Sequence, residues 1–250
     1  MLADRNGKNA MNEAGQAEPT QDEALPREPV FNLPAVIIAI VAVCFGVHLV
    51  RLYLLTQQQD IELLIRTAFI PVRYSGQYDL DFYAFSSPFT YTFLHGGWAH
   101  LIVNMVWLVA FGSPLANRIG AMRFILFFAF TGLAAAFFFF AIHPTMQAPL
   151  VGASGSISGM MGAAARFAFS IDRSTGKGAF GGAPLPFSAV LRSRATLSFL
   201  AVWMVINIVT GVVGFVPGND SQIAWEAHIG GFLAGFLCLR LFDRRQARQA

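Results

Sequence analysis

Six apolar segments, set between loops and tails that hold most of the charge, constrain this chain more than any single motif does. They run from Leu33 to about Leu55, Trp98 to Leu115, Phe124 to Ile142, Ser154 to Phe169, Thr196 to Val216 and Ala224 to Phe242. Crossing a ~30 Å hydrocarbon core takes about 20 apolar residues at ~1.5 Å rise each, and all but the fourth segment approach that length. With 55% hydrophobic and 12% charged residues, the chain is too apolar for a soluble domain. The expected fold class is an all-α membrane protein, a bundle of six transmembrane helices.

The basic residues fix an orientation for that bundle. Arg118 and Arg123 lie between segments two and three, Arg173, Lys177, Arg192 and Arg194 between four and five, and Arg244, Arg245 and Arg248 after six. The connections 143–153 and 217–223 carry no Lys or Arg. By the positive-inside rule both termini are cytoplasmic, and segments two, four and six run from the outer to the inner face. The net charge of +3 therefore reports orientation. No basic patch with interleaved aromatics suggests a nucleic-acid partner. Cys44 and Cys238 sit inside apolar segments and read as small hydrophobic residues.

The domain reading follows. Residues 1–32 are polar, lack an apolar run and are expected to form a disordered cytoplasmic tail. Residues 33–242 form the membrane domain. Within it, 56–88 mixes Asp60, Glu62, Arg66, Arg73, Asp79 and Asp81 with aromatics, which reads as a long, membrane-associated outer loop. Arg66 and Arg73 are its discordant charges, offset by those acids. The Gly- and Pro-rich stretch within 173–195 reads as a flexible cytoplasmic linker, and 243–250 as a short basic tail.

Three polar groups interrupt the apolar segments at one depth. The segment VGASGSISGMMGAAARFAF, residues 151–169, sets Ser154 among Gly152, Gly155, Gly159 and Gly162, leaving a surface with almost no side-chain bulk. WEAHIGGFLAGF, residues 225–236, repeats the pattern with His228, Gly230, Gly231 and Gly235. Small residues at such spacing let helix backbones approach closely, and that packing alone would explain either segment. The depths argue for more. Ser154 lies twelve residues before Arg166, His228 twelve before Arg240 and Asn104 fourteen before Arg118, or ~18, ~18 and ~21 Å above the inner boundary. His100 and Asn104 are i and i+4 and share a helix face. His95 falls off that face, beside Gly96 and Gly97.

A hydroxyl and an imidazole on two closely packed helices suggest a nucleophile and its base. A metal at His95, His100 and His228 is the competing chemistry. The HExxH pattern of zinc hydrolases needs a glutamate between its histidines, and no carboxylate falls in this cluster. Glu226 projects ~200° away from His228 around their helix. A Ser154/His228 dyad is therefore expected, with no metal. The N–H groups at the start of the Ser154 helix, with Asn104, are candidates to hold an oxyanion.

HGGWAHLIVN (residues 95–104), GASG around Ser154 and AHIGGFLAG (227–235) together resemble the rhomboid intramembrane serine proteases. The resemblance covers residues 33–242. It implies a six-helix core with Ser154 as nucleophile, His228 as base and His100 with Asn104 lining the oxyanion site. His95, Gly152, Gly155, Gly231 and Gly235 would be structural near the site, and the 56–88 loop would lie partly in the membrane beside it. No cofactor is implied. Substrates would be single-span membrane proteins, cut within or beside their transmembrane segment. The setting would be a bacterial inner membrane, with the site opening to the outer face. Two positions depart from the family pattern: Ala116 stands where many rhomboids carry a glutamate, and Ser158 where some carry a tyrosine. A non-catalytic rhomboid-like binder of membrane proteins is the alternative reading.

Overall fold

The computed structural model describes residues 33–174, 176–213 and 224–243, and within them apolar sequence is helical sequence. The predicted tail over 1–32, the connection 217–223 and the basic residues after Asp243 lie outside the described residues. Helix α1 (Ala35–Tyr53) starts directly after Pro34. Helix α2 (Gln57–Thr67) opens on a capping box: the Thr56 hydroxyl accepts from the Gln59 N–H while the Gln59 side chain accepts from the Thr56 N–H. That exchange satisfies two end groups that would otherwise lack partners. Helix α3 (Phe82–Thr90) is capped by Asp81, whose carboxylate accepts from the Ala84 N–H at 2.9 Å.

Helix α4 (Trp98–Trp107) continues through a π-helical turn (Leu108–Gly112) into α5 (Ser113–Ile119). The wide turn has a cause in Pro114, which has no N–H and would clash with the carbonyl four residues back in a regular α-helix. The run was expected to end near Leu115. It continues to Ile119 because Arg118 is paired within the protein. Helix α6 (Ala121–Ile142) follows after one glycine, Gly120, at φ +83°. Trp98–Ile119, α1 and α6 are each long and apolar enough to cross a membrane. The remaining elements are α7 (Ser154–Arg166), a two-stranded ribbon of β1 (Ile171–Asp172) and β2 (Ala179–Phe180), the single turn α8 (Phe187–Val190), α9 (Arg194–Val213) and α10 (Trp225–Phe242). The fourth apolar segment stops at Arg166 because Ala168 and Phe169 adopt left-handed backbone, with φ of 46° and 58°.

Helix α7 is the shortest of the long apolar helices and the most enclosed. Every residue from Gly155 to Arg166 is buried. Two surfaces cover it. On one, α10 lies backbone against backbone: a Cβ at Gly231 would fall inside the carbonyl oxygen of Gly155, and one at Gly235 inside that of Gly159. On the other, α6 supplies Thr131 and Gly132. A Cβ at Gly159 would meet Thr131 at 2.5 Å, and the Ser156 hydroxyl donates to the Phe128 carbonyl at 2.8 Å.

Arginines tie the other end of these helices together. The Arg166 guanidinium donates to the carbonyls of Phe236 (2.9 Å) and Leu185 (2.8 Å) and lies 4.4 Å over the Phe187 ring. Arg118 donates to Asp243 at 2.9 and 2.7 Å and to the Phe180 carbonyl at 2.8 Å, and lies 4.5 Å over Phe167. Asn117 donates to the Gly178 carbonyl at 3.0 Å. Glycine and proline content suggests a flexible linker here, yet the described part of 173–195 is tied to α5 and α7 through its carbonyls. Flexible composition does not prevent order where buried cations require acceptors.

The 56–88 segment is anchored as well. Phe69 and Leu150 form an antiparallel bridge with N–H to carbonyl distances of 3.2 and 2.8 Å. Arg51 pairs with Asp60 at 2.6 Å. The Tyr74 hydroxyl donates to the Ala84 carbonyl at 2.6 Å, and burial pushes its phenol above the usual range, keeping it a donor. Ala116, buried on α5, takes no part in these contacts.

Two stability predictions follow from these contacts. Gly235→Ala should lower stability in micelles by about 1–3 kcal/mol, the usual cost of overpacking. Gly46→Ala on α1, where a Cβ meets nothing within 4 Å, should be neutral or slightly stabilising through helix propensity. Thermal unfolding of both variants in one detergent checks the contrast. Asp243→Asn, which leaves the buried Arg118 without its counter-charge, should cost about 3–5 kcal/mol in the same assay.

Candidate active site

The approach to Ser154 is set by the residues before it. The Gly152 N–H donates to the Tyr91 carbonyl at 3.0 Å, and Gly152 takes φ +117°, a conformation that L side chains rarely adopt. The chain then turns into α7, with Ser154 as its first residue. The N–H groups of this first turn have no acceptor within the helix, and the positive end of the helix dipole lies there.

His228 stands in the first turns of α10 and faces Ser154. Its Nε2 is 2.8 Å from the Ser154 Oγ. Both residues are half-buried, so the pair is sheltered without being sealed. The seam that brings them together is the Gly155–Gly231 and Gly159–Gly235 contact. The other ring nitrogen, Nδ1, meets the Oδ1 of Asn207 on α9. Sequence reasoning missed Asn207. The one available signal was a carboxamide in the middle of the apolar run VINIV, where a polar side chain is costly without a partner. Glu226 is engaged by His143, whose Nε2 is 2.9 Å from its carboxylate.

His100 borders the same space from α4. The Gly96 N–H donates to its Nδ1 at 3.3 Å, so in the neutral ring the proton sits on Nε2. That Nε2 lies where a Cβ on Gly152 would approach to 2.8 Å, and the same Cβ would be 3.7 Å from the Ser154 Oγ. His100 thus presents an N–H donor beside the serine. Asn104, one turn on, is buried; its amide donates to the His100 carbonyl at 2.8 Å, and its Oδ1 has no protein partner. The second hydrogen of that amide is not used by this bond.

Among the described residues neither ring nitrogen of His95 has a hydrogen-bond partner. It is buried, its carbonyl accepts from Arg51 at 2.9 Å, and its ring meets that of His100 edge-on at 5.2 Å between centroids. Among the described residues no three His, Cys, Asp or Glu side chains gather in a metal-holding group. The site therefore consists of a hydroxyl hydrogen-bonded to an imidazole, a neutral ring N–H beside it, and the open N-terminus of a helix.

Comparison with known proteins agrees with the fold. Residues 84–245 match the family model described as Rhomboid domain, and the chain belongs to the rhomboid family. RHOMBOID-like protein 5 of Arabidopsis thaliana is 31% identical over 144 residues, which cover 57% of this chain and 39% of that protein. RHOMBOID-like protein 6, mitochondrial, of the same plant is 30% identical over 152 residues, 60% of this chain and 41% of that protein. YdcA of Bacillus subtilis (strain 168), a candidate rhomboid protease by name, is 26% identical over 156 residues, 61% of this chain and 66% of that protein. The chain thus spans about two-fifths of these Arabidopsis relatives and two-thirds of the Bacillus one.

Gly152→Ala should strain the backbone and press on His100. Its expected effect is a loss of about 1–3 kcal/mol of stability, from strain of the kind stored at unfavourable φ. It should also weaken labelling of Ser154 by a fluorophosphonate relative to wild type, read on a gel.

Proposed function

We propose that this chain is an intramembrane serine endopeptidase that hydrolyses peptide bonds in or beside the transmembrane segment of single-span membrane proteins. The observation that carries the reading is the 2.8 Å contact between the Ser154 Oγ and the His228 Nε2, at the end of a helix in a rhomboid-family chain. Ser154 attacks the scissile carbonyl as His228 takes its proton. The carbonyl electron pair moves onto oxygen, and the nearby donors are the first-turn N–H groups of α7, the His100 Nε2–H and the spare amide hydrogen of Asn104. His228 then returns the proton to the leaving amine, and water, activated by the same imidazole, releases the acyl group. No cofactor takes part.

The finer architecture belongs to the same proposal. The helices form six spans with both termini on the cytoplasmic side, in a bacterial inner membrane. Two features support that orientation. Lys and Arg are absent from 143–153 and 217–223, and Arg118, Arg166 and Asp243 gather at the end of the bundle away from Ser154. The site then opens to the outer face, where water reaches it. A peptide bond inside a regular helix is shielded by its own turns, so substrates should be cut where Gly, Ala or Ser weaken the helix.

Reconstitution with a model single-span substrate tests the proposal. Ser154→Ala and His228→Ala should each abolish cleavage, by about 10³-fold or more, and EDTA should have no effect. Cleavage that survives Ser154→Ala would sink the serine mechanism, and loss on chelation would point to a metal. A wild type that retains substrates on pull-down without cutting them would favour a non-catalytic binder.

A further inference from the structure

The seat of the proposed base is set by a residue outside the dyad. We infer that Asn207 is a positioning residue for His228: it holds the imidazole in the tautomer that leaves Nε2 unprotonated toward Ser154. This inference rests on the dyad reading above and adds a third member to it.

The hydrogen bonds around the Asn207 carboxamide decide which of its atoms faces the histidine. Its Nδ2 donates to the Trp203 carbonyl, four residues back on α9, at 2.7 Å. Turning the amide over would set two oxygens against each other at that contact, so the amide has one favoured orientation. Oδ1 therefore faces His228 Nδ1. An amide oxygen only accepts, so Nδ1 carries the hydrogen. In the neutral ring Nε2 then has a lone pair, aimed at the Ser154 hydroxyl 2.8 Å away. When the serine oxygen bonds to the scissile carbonyl carbon, its proton passes to Nε2, and Nδ1–H stays on Asn207 throughout. The amide is buried at 6% exposure, so water does not readily compete for that bond.

The surrounding contacts make Asn207 a link between helices as well. Trp203, which accepts from Asn207, stacks on Phe232 of α10 with ring centroids 5.0 Å apart. Phe232 is one turn after His228. The α9–α10 contact therefore holds the Trp203 carbonyl, the Asn207 amide and the His228 imidazole in register.

Wild type, Asn207→Leu, Asn207→Asp and Ser154→Ala test the inference, all full-length in detergent with a single-span substrate. Leucine matches the shape of asparagine without its acceptor, and aspartate keeps the acceptor. Asn207→Leu should lower kcat about 10- to 100-fold with KM within about twofold, since orientation of a general base is lost while binding is untouched. Asn207→Asp should recover most of that loss. A second readout needs no turnover: ¹⁵N spectra of histidine-labelled protein, with His228 assigned by its absence in His228→Ala, should show the Nδ1–H tautomer in wild type and its loss in Asn207→Leu. Wild-type kcat in Asn207→Leu, or equal losses in Leu and Asp with the His228 tautomer unmoved, would overturn the inference. Cleavage that persists in Ser154→Ala would overturn the dyad reading instead, and the tautomer signal would still decide for or against Asn207.

Discussion

Contact of α7 and α10 through their backbones is the constraint on which the site depends. Two glycines of α10, Gly231 and Gly235, rest on the carbonyls of two glycines of α7, Gly155 and Gly159. Any side chain at these positions would force the axes apart. Ser154 and His228 have short reach, so they meet only while the axes stay this close. In a bilayer there is little hydrophobic gain from bringing two apolar helices together, and close van der Waals contact between small residues supplies the attraction. The same glycines that weaken helix propensity therefore create the geometry in which a hydroxyl and an imidazole meet.

A short central helix brings a second requirement. At 13 residues α7 rises only ~20 Å, so its C-terminal end, with Arg166, falls inside the protein. Arg166 is 1% exposed, and a buried guanidinium must find acceptors. It takes them from the backbone of α10 and from the chain after β2. Arg118 does the same with Asp243 and Phe180. The stretch between α7 and α9 is ordered by these cations, and its own composition gives no hint of that.

This difference marks what could be read from the chain. The apolar segments, the small-residue seam and the pairing of Ser154 with His228 were legible because each is a local departure in a uniform background. Ser154, His228, His100 and Asn104 stand out against Gly, Ala and Phe. Asn207 stood in an apolar run with no pattern beside it, and its partner lies 21 residues away on another helix. The π turn at Leu108–Gly112 and the left-handed Ala168 and Phe169 were equally hidden, since both depend on how the next element packs. The Arg118–Asp243 pair spans 125 residues, a separation at which composition carries no information about pairing.

Two imidazoles near Ser154 have opposite tasks, and their partners set them. The Gly96 N–H gives His100 a donor on the site side, while the Asn207 oxygen gives His228 an acceptor there. Neither partner is charged. A carboxylate behind His228 would stabilise the imidazolium more, yet burying it among apolar helices would cost several kcal/mol before any proton moved. A neutral amide orients the ring at far lower desolvation cost. An apolar solvent thus favours orientation by dipoles over orientation by charge, and Glu226, the carboxylate in the first turn of α10, is paired with His143 and not with His228.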